Sequence, residues 1–338
     1  MNRSVQVVLL SFLFSGAAIG LLLLTGEKLD PAAFANLITI QPLGLALLIP
    51  TLLIWWTLMG LRVKILASQL PDGKNITLSR GIRASLLSLF SAAVTPAASG
   101  SSFGLGWYLS RYMDAKQATA IAVYGLVLDL VFYAWSLPLS FAILEWRKVN
   151  LGIPFLGVAA FAGAALLLGL AWGLAHGTKG LSKVIWCVFS LGVLKRFRRG
   201  VYSFMQRTEQ EISSLRNMPL GVQILLHVSN GFGWFFHFAA FNVVAWGLGI
   251  PNFDHISIMA AQSLVVSSSF IIPTPGGSGY FEFALGKVFA VIGVSSDART
   301  PLVLVWRFLS YYLYILIGPM IGGAALLKAQ SKPAATRE

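Results

Sequence analysis

Long apolar runs recur through this chain, and several exceed the roughly 18 residues that cross a bilayer as helix. Six read as spans, at about 5–24, 43–61, 117–143, 152–175, 220–248 and 300–327. A β-barrel would instead show weak alternation in segments of about ten residues, and that pattern is absent. Only 11% of residues are charged, against about 25% in a soluble domain. So few charges cannot cover a soluble surface, and lipid must be the solvent. The expected fold is an all-α polytopic membrane protein, a single transmembrane domain over 1–338. The run 5–24 is longer than a signal-peptide core and lacks a small-residue cleavage site, so it reads as the first span.

Charge positions set the orientation. With the N-terminus in the cytoplasm, Arg3, Arg62, Lys64, Lys74, Arg80, Arg83, Arg111, Lys116, the basic run 179–216, Lys328, Lys332 and Arg337 fall inside. Only Lys28, Arg147, Lys148 and Arg299 fall outside. This bias requires the apolar stretch 84–110 to enter from the cytoplasm and return there. The stretch 256–293 must likewise enter and leave on the outer side. Both are interrupted by Pro, Gly and hydroxyl residues, so each is expected to form a re-entrant hairpin. Both termini are expected in the cytoplasm, with the chain multi-pass in a bacterial or archaeal cytoplasmic (inner) membrane. Within 179–216, Phe197, Val201, Phe204 and Met205 interleave with Lys195, Arg196, Arg198 and Arg199, the pattern of an interfacial amphipathic helix.

The two interruptions are near copies: TPAASG at 95–100 and TPGGSG at 274–279. Each is followed by a polar loop with Asp-Ala and then by a span with one ionisable residue, Asp129 or Arg307. Gly100 precedes Asp129 by 29 positions and Gly279 precedes Arg307 by 28. The segments 84–143 and 256–327 therefore read as internal repeats, and the charge pattern gives them opposite topology. Inverted repeats with broken helices that meet near the midplane are the architecture of secondary transporters. Lipid cannot satisfy the backbone groups that Pro and Gly release, so such breaks must be packed in protein or line a wet cavity.

Candidate site residues cluster at these breaks. Thr95, Pro96, Ser99 and Gly100 form the first, and Thr274, Pro275, Gly276, Gly277, Ser278 and Gly279 the second. Glu282, Arg307 and Asp129 are ionisable at membrane depth, where a charge faces a cavity or a partner. A structural Glu282–Arg307 pair is the alternative to a functional one. Tyr311 follows Arg307 by one helical turn and shares its face. His227, Asn230 and His237 share a face of the fifth span and fit interhelical hydrogen bonding better than a metal site. Gly16 with Gly20, and Gly318 with Gly322, have helix-packing spacing. The lone Cys187 excludes an internal disulfide and a cysteine cluster. Nucleotide, hydrolase and metalloprotease motifs are absent, so neither enzyme, cofactor nor metal is expected. The net charge of +13 belongs to membrane orientation rather than to nucleic acid.

The segment IPTPGGSGYFE (272–282), followed by WRFLSYY (306–312), resembles the lysylphosphatidylglycerol synthase transmembrane-domain family. These flippase-like proteins include the lipid-translocating half of aminoacyl-phosphatidylglycerol synthase/flippases. GLVLDL (125–130) is similar to the family's segment ending in Leu-Asp-Leu, which brings in Asp129. The first break departs from the family's charged Pro-Gly-Arg turn, with Ala97, Ala98 and Ser99 in its place. The soluble aminoacyl-transfer domain is absent, so lipid aminoacylation is not implied. The resemblance implies a lipid transporter or flippase whose partner is a membrane lipid with an anionic or phosphate-bearing head group. Freed N–H groups at the breaks and Arg307 would receive the phosphate. Two other readings stay open: a small-solute or ion secondary transporter, and a non-transporting accessory protein of a lipid-modifying pathway. So do a homo-oligomer and association with a lipid-biosynthesis enzyme.

Overall fold

The computed structural model describes residues 41–95, 98–152, 156–176, 209–250, 254–269, 272, 274 and 276–330. Every regular element among them is helical. In chain order they are α1 (Pro42–Ser68), a 3₁₀ turn (Pro71–Asn75), α2 (Leu78–Ala93), α3 (Ser101–Leu109), α4 (Ala115–Trp146) and α5 (Leu156–Ala175). Then come α6 (Leu220–Gly247), α7 (His255–Ser268), α8 (Tyr280–Val291), α9 (Ser296–Arg307), a π-helical turn (Phe308–Tyr312) and α10 (Leu313–Gln330). The expected span 5–24, Gly16, Gly20, Cys187 and most of the basic segment 179–216 lie outside the described residues. Residues 209–216 of that segment are helical.

Four of these stretches are long and apolar enough to cross a membrane: Pro42–Ser68, Ala115–Trp146, Leu156–Ala175 and Ala298–Gly322. They correspond to four of the six expected spans. The expected span 220–248 is matched by α6, whose 28 residues are long enough at 1.5 Å per residue. It is more polar than the other four, because Gln223, His227, Ser229, Asn230, His237 and Asn242 interrupt its apolar sequence.

Local sequence explains the element boundaries. Thr77 caps α2 by accepting the Arg80 amide, Asp114 caps α4 by accepting that of Lys116, and Asp254 caps α7 through Ile256 and Ser257. Pro42 opens α1, where a missing N–H costs nothing. The same order then occurs twice: long helix, shorter helix, break, short helix, long helix. In the first set α3 folds back along α2, and the Ser88 hydroxyl donates to the Ser101 carbonyl (2.9 Å). In the second, Ser268 and Tyr280 share a hydrogen bond across the α7–α8 break.

Contacts gather the element ends into two groups. Arg80 lies over the Tyr112 ring (4.2 Å), and the Asp114 amide donates to Asp72, so both flanks of the first hairpin share one end. At the other end Arg147 pairs with Asp254 (2.8 Å), and the Gln41 amide meets the Gly247 carbonyl. Arg62 corrects the charge reading. It is not a flank residue in the cytoplasm: α1 runs on through it to Ser68, and it is only 5% exposed. The helix-packing reading of Gly318 fits, since a Cβ there would stand 2.2 Å from Phe90 of α2. Only a hydrogen lets α10 approach α2 so closely.

Candidate functional site

The two breaks touch. In the first, the Thr95 hydroxyl donates to the Ser91 carbonyl (2.6 Å) and accepts the Gly100 amide (2.8 Å), which closes the turn. In the second, Gly276, Gly277 and Gly279 take φ of +56°, +63° and +89°, a region L side chains rarely adopt. The Gly276 amide points at the Thr95 carbonyl (3.4 Å). A Cβ on Gly276 would stand 2.1 Å from the Tyr311 ring and 3.0 Å from the Ala93 carbonyl. The crossing of the two breaks therefore needs glycine on both conformational and steric grounds.

Arg307 clamps the second turn. Its Nε pairs with Glu282 (2.8 Å), Nη1 donates to the Gly276 carbonyl (3.1 Å) and Nη2 to the Ser278 hydroxyl (2.9 Å). The Tyr311 ring lies 4.1 Å from the guanidinium. The π turn that begins at Phe308 places Tyr311 there, and such turns are frequent at functional sites. Glu282 also accepts the Gly279 amide (2.8 Å), capping α8 from its first turn. Glu282 and Arg307 are 0% and 1% exposed. Such a pair is tolerable in a low dielectric only with this many hydrogen bonds.

A second, partly buried pair joins helices of the first set. Arg62 of α1 donates through Nη1 to Asp129 of α4 (2.6 Å) and to Asn230 of α6 (2.5 Å). The Trp234 indole donates to the same Asp129 oxygen (3.1 Å), and Asn230 donates to the Leu128 carbonyl (3.1 Å). Asn230 thus bonds between helices, as its sequence position suggests. His237 instead packs against Trp55, with ring centroids 4.2 Å apart and the planes tilted by 44°.

One cavity of about 370 Å³ joins these parts. Arg62 and Asp129 lie on its wall with Arg307, and Ser99, Gly276, Gly277 and Tyr311 bring in both breaks. Aromatic faces from Trp55, Tyr133, Trp234 and Trp306 complete it, with hydroxyls from Ser88, Ser102 and Ser310. Of the residues expected at the site, Asp129, Ser99, Gly276, Gly277, Arg307 and Tyr311 line the cavity. Thr95, Gly100, Ser278, Gly279 and Glu282 stand behind it and shape the turns. Thr274 lies off the wall, and its buried hydroxyl makes no hydrogen bond among the described residues. Pro96 and Pro275 lie outside the described residues.

Sequence reasoning missed Arg62, Trp55 and Trp234. Trp55, Met59 and Arg62 recur at helical spacing on one face of α1, as Asn230, Trp234 and His237 do on α6. That periodicity, continued past the expected end of the first described span, would have placed Arg62 in the interior. No group of His, Cys, Asp or Glu among the described residues has the arrangement of a metal site.

This is a polytopic helical membrane protein with two broken helical hairpins that meet over a largely apolar cavity carrying a few charged and hydroxyl groups. The lysylphosphatidylglycerol synthase TM region family matches residues 8–318, and the chain belongs to that family. It is 23% identical over 288 residues to a "UPF0104 membrane protein" of Archaeoglobus fulgidus, covering 82% of this chain and 84% of that protein. No solved structure matches the chain.

Proposed function

We propose that the protein moves a phosphate-bearing lipid across or within the cytoplasmic membrane, with its head group in the cavity and its acyl chains in the bilayer. The observation that carries this reading is the meeting of the two breaks over the cavity. Its volume falls within the roughly 300–1,000 Å³ of small-ligand sites, and it suits a head group rather than a pair of acyl chains. Membership in a family named for a lipid-modifying synthase supports a lipid substrate. In this reading the two hairpins are re-entrant, enter from opposite faces, and belong to inverted repeats that exchange access around a fixed site. Both termini are cytoplasmic and no lipid chemistry is performed.

Reconstitution tests it. Purified protein in liposomes should make a fluorescently labelled inner-leaflet phospholipid accessible to a membrane-impermeant quencher, faster than in protein-free liposomes. Liposomes whose labelled lipid stays protected would refute transport and favour an accessory role.

A further inference from the structure

The guanidinium groups of Arg62 and Arg307 both reach the cavity wall, but their surroundings differ. Every nitrogen of Arg307 is directed at the second turn or at Glu282. At Arg62 the bonds to Asp129 and Asn230 both fall on Nη1. Among the described residues its buried Nε has no hydrogen-bond partner. Its Nη2 lies 4.0 Å from where a Cβ on Gly125 would stand, and both residues line the cavity. A buried donor without an acceptor is costly. Here it belongs to a planar fork suited to two oxygens of one phosphate.

We propose that Arg62 is the receptor for the head-group phosphate, which docks on its Nε–Nη2 edge, and that Asp129 on Nη1 is its resident counter-ion, whose hold on the guanidinium gives way as the phosphate takes over the charge. The proposal rests on the lipid-transport reading and adds to it the receptor residue and the exchange of anions. Removing one partner of a buried ion pair leaves an uncompensated charge, whereas exchanging one anion for another keeps the guanidinium paired throughout. The structure favours Asp129 as the group that moves. Its side chain is 20% exposed against 6% for Arg62, so it can be hydrated in the cavity while Trp234 holds it. Arg307 keeps the turn in shape, and its donors need not be released.

The test is isothermal titration calorimetry of the purified full chain in micelles, with dihexanoyl-phosphatidylglycerol as the probe. Asp129→Asn removes the competing charge and should tighten binding roughly tenfold, since hydrogen bonds to charged groups are of that order. Arg62→Lys keeps the positive charge but loses the fork, and should weaken binding roughly tenfold. Weaker or unchanged binding in Asp129→Asn would overturn the exchange. If these variants fail to fold, the wild type still decides. It should bind dihexanoyl-phosphatidylglycerol far better than dihexanoylglycerol, which lacks the phosphate, and equal affinities would refute a phosphate receptor. Lipid movement in liposomes together with unaltered binding in both variants would remove Arg62 alone. Inorganic phosphate binding as tightly as the lipid would keep Arg62 as an anion site and remove lipid transport.

Discussion

Glu282→Gln tests how the second turn is held. The side chain is fully buried, one oxygen facing Arg307 at 2.8 Å and the other accepting the Gly279 amide at 2.8 Å. Glutamine keeps an oxygen for the cap but removes the carboxylate charge that faces the buried Arg307 guanidinium. At about 4 Å a charge pair is worth roughly 4 kcal/mol at an effective dielectric constant near 20. Breaking buried pairs typically costs about 3–5 kcal/mol. Glu282→Gln and Arg307→Met should each lose stability in that range. Because both remove the same interaction, the double variant should lose less than the sum, with a coupling of about 2 kcal/mol or more. Unfolding of the micellar protein, followed by tryptophan fluorescence, measures all three. Single losses below about 1 kcal/mol, or strict additivity in the double variant, would refute the clamp.

Gly276→Ala forces a left-handed residue, at about 1–2 kcal/mol, and drives a methyl against Tyr311, at about 1–3 kcal/mol more. The variant should be destabilised by about 2–5 kcal/mol in the same unfolding assay and lose lipid movement. At the other end of the fold, partial burial alone would raise the Asp254 carboxyl, but the Ser257 hydroxyl, Arg147 and the Ser257 amide outweigh it and hold it below its ordinary value. A lowered carboxyl stabilises the fold above the unfolded value of about 3.9, and that contribution fades as pH falls through the lower folded value. Asp254→Asn should keep the helix cap but flatten stability across that acid window, while Asp254→Ala should also lose about 1 kcal/mol at neutral pH.

Much of the fold was legible because two signals are strong in single sequences: unbroken apolar length, and Pro and Gly inside it. They located α1, α4, α5 and the last span, and both breaks. The repeated Thr-Pro…Ser-Gly pattern marked the two turns that touch at Thr95 and Gly276. Glu282 and Arg307 stood out for their depth and do pair. Arg62 was hidden by its position beside Lys64, where a basic residue usually marks a span end. The helical spacing of Trp55, Met59 and Arg62 is the local sign that α1 continues, but nothing local shows that Asp129 lies 67 positions away in sequence yet 2.6 Å away in space. The divided work of the candidate residues was also illegible. Whether a hydroxyl closes a turn, as at Thr95, or faces the cavity, as at Ser99, depends on backbone direction within a break of a few residues.

The claim that a lipid head group enters the space between the two breaks can be tested most directly by photochemical capture. A phospholipid with a photoreactive group on its head group would be activated in liposomes holding the wild-type protein, and the attachment sites read by peptide mass spectrometry. Labels should fall on the cavity wall, at residues such as Ser99, Trp234 and Ser310, and excess unlabelled phospholipid should suppress them. Attachment confined to the exposed apolar outer faces, such as Leu166 and Trp172 of α5, with the cavity unlabelled, would contradict it.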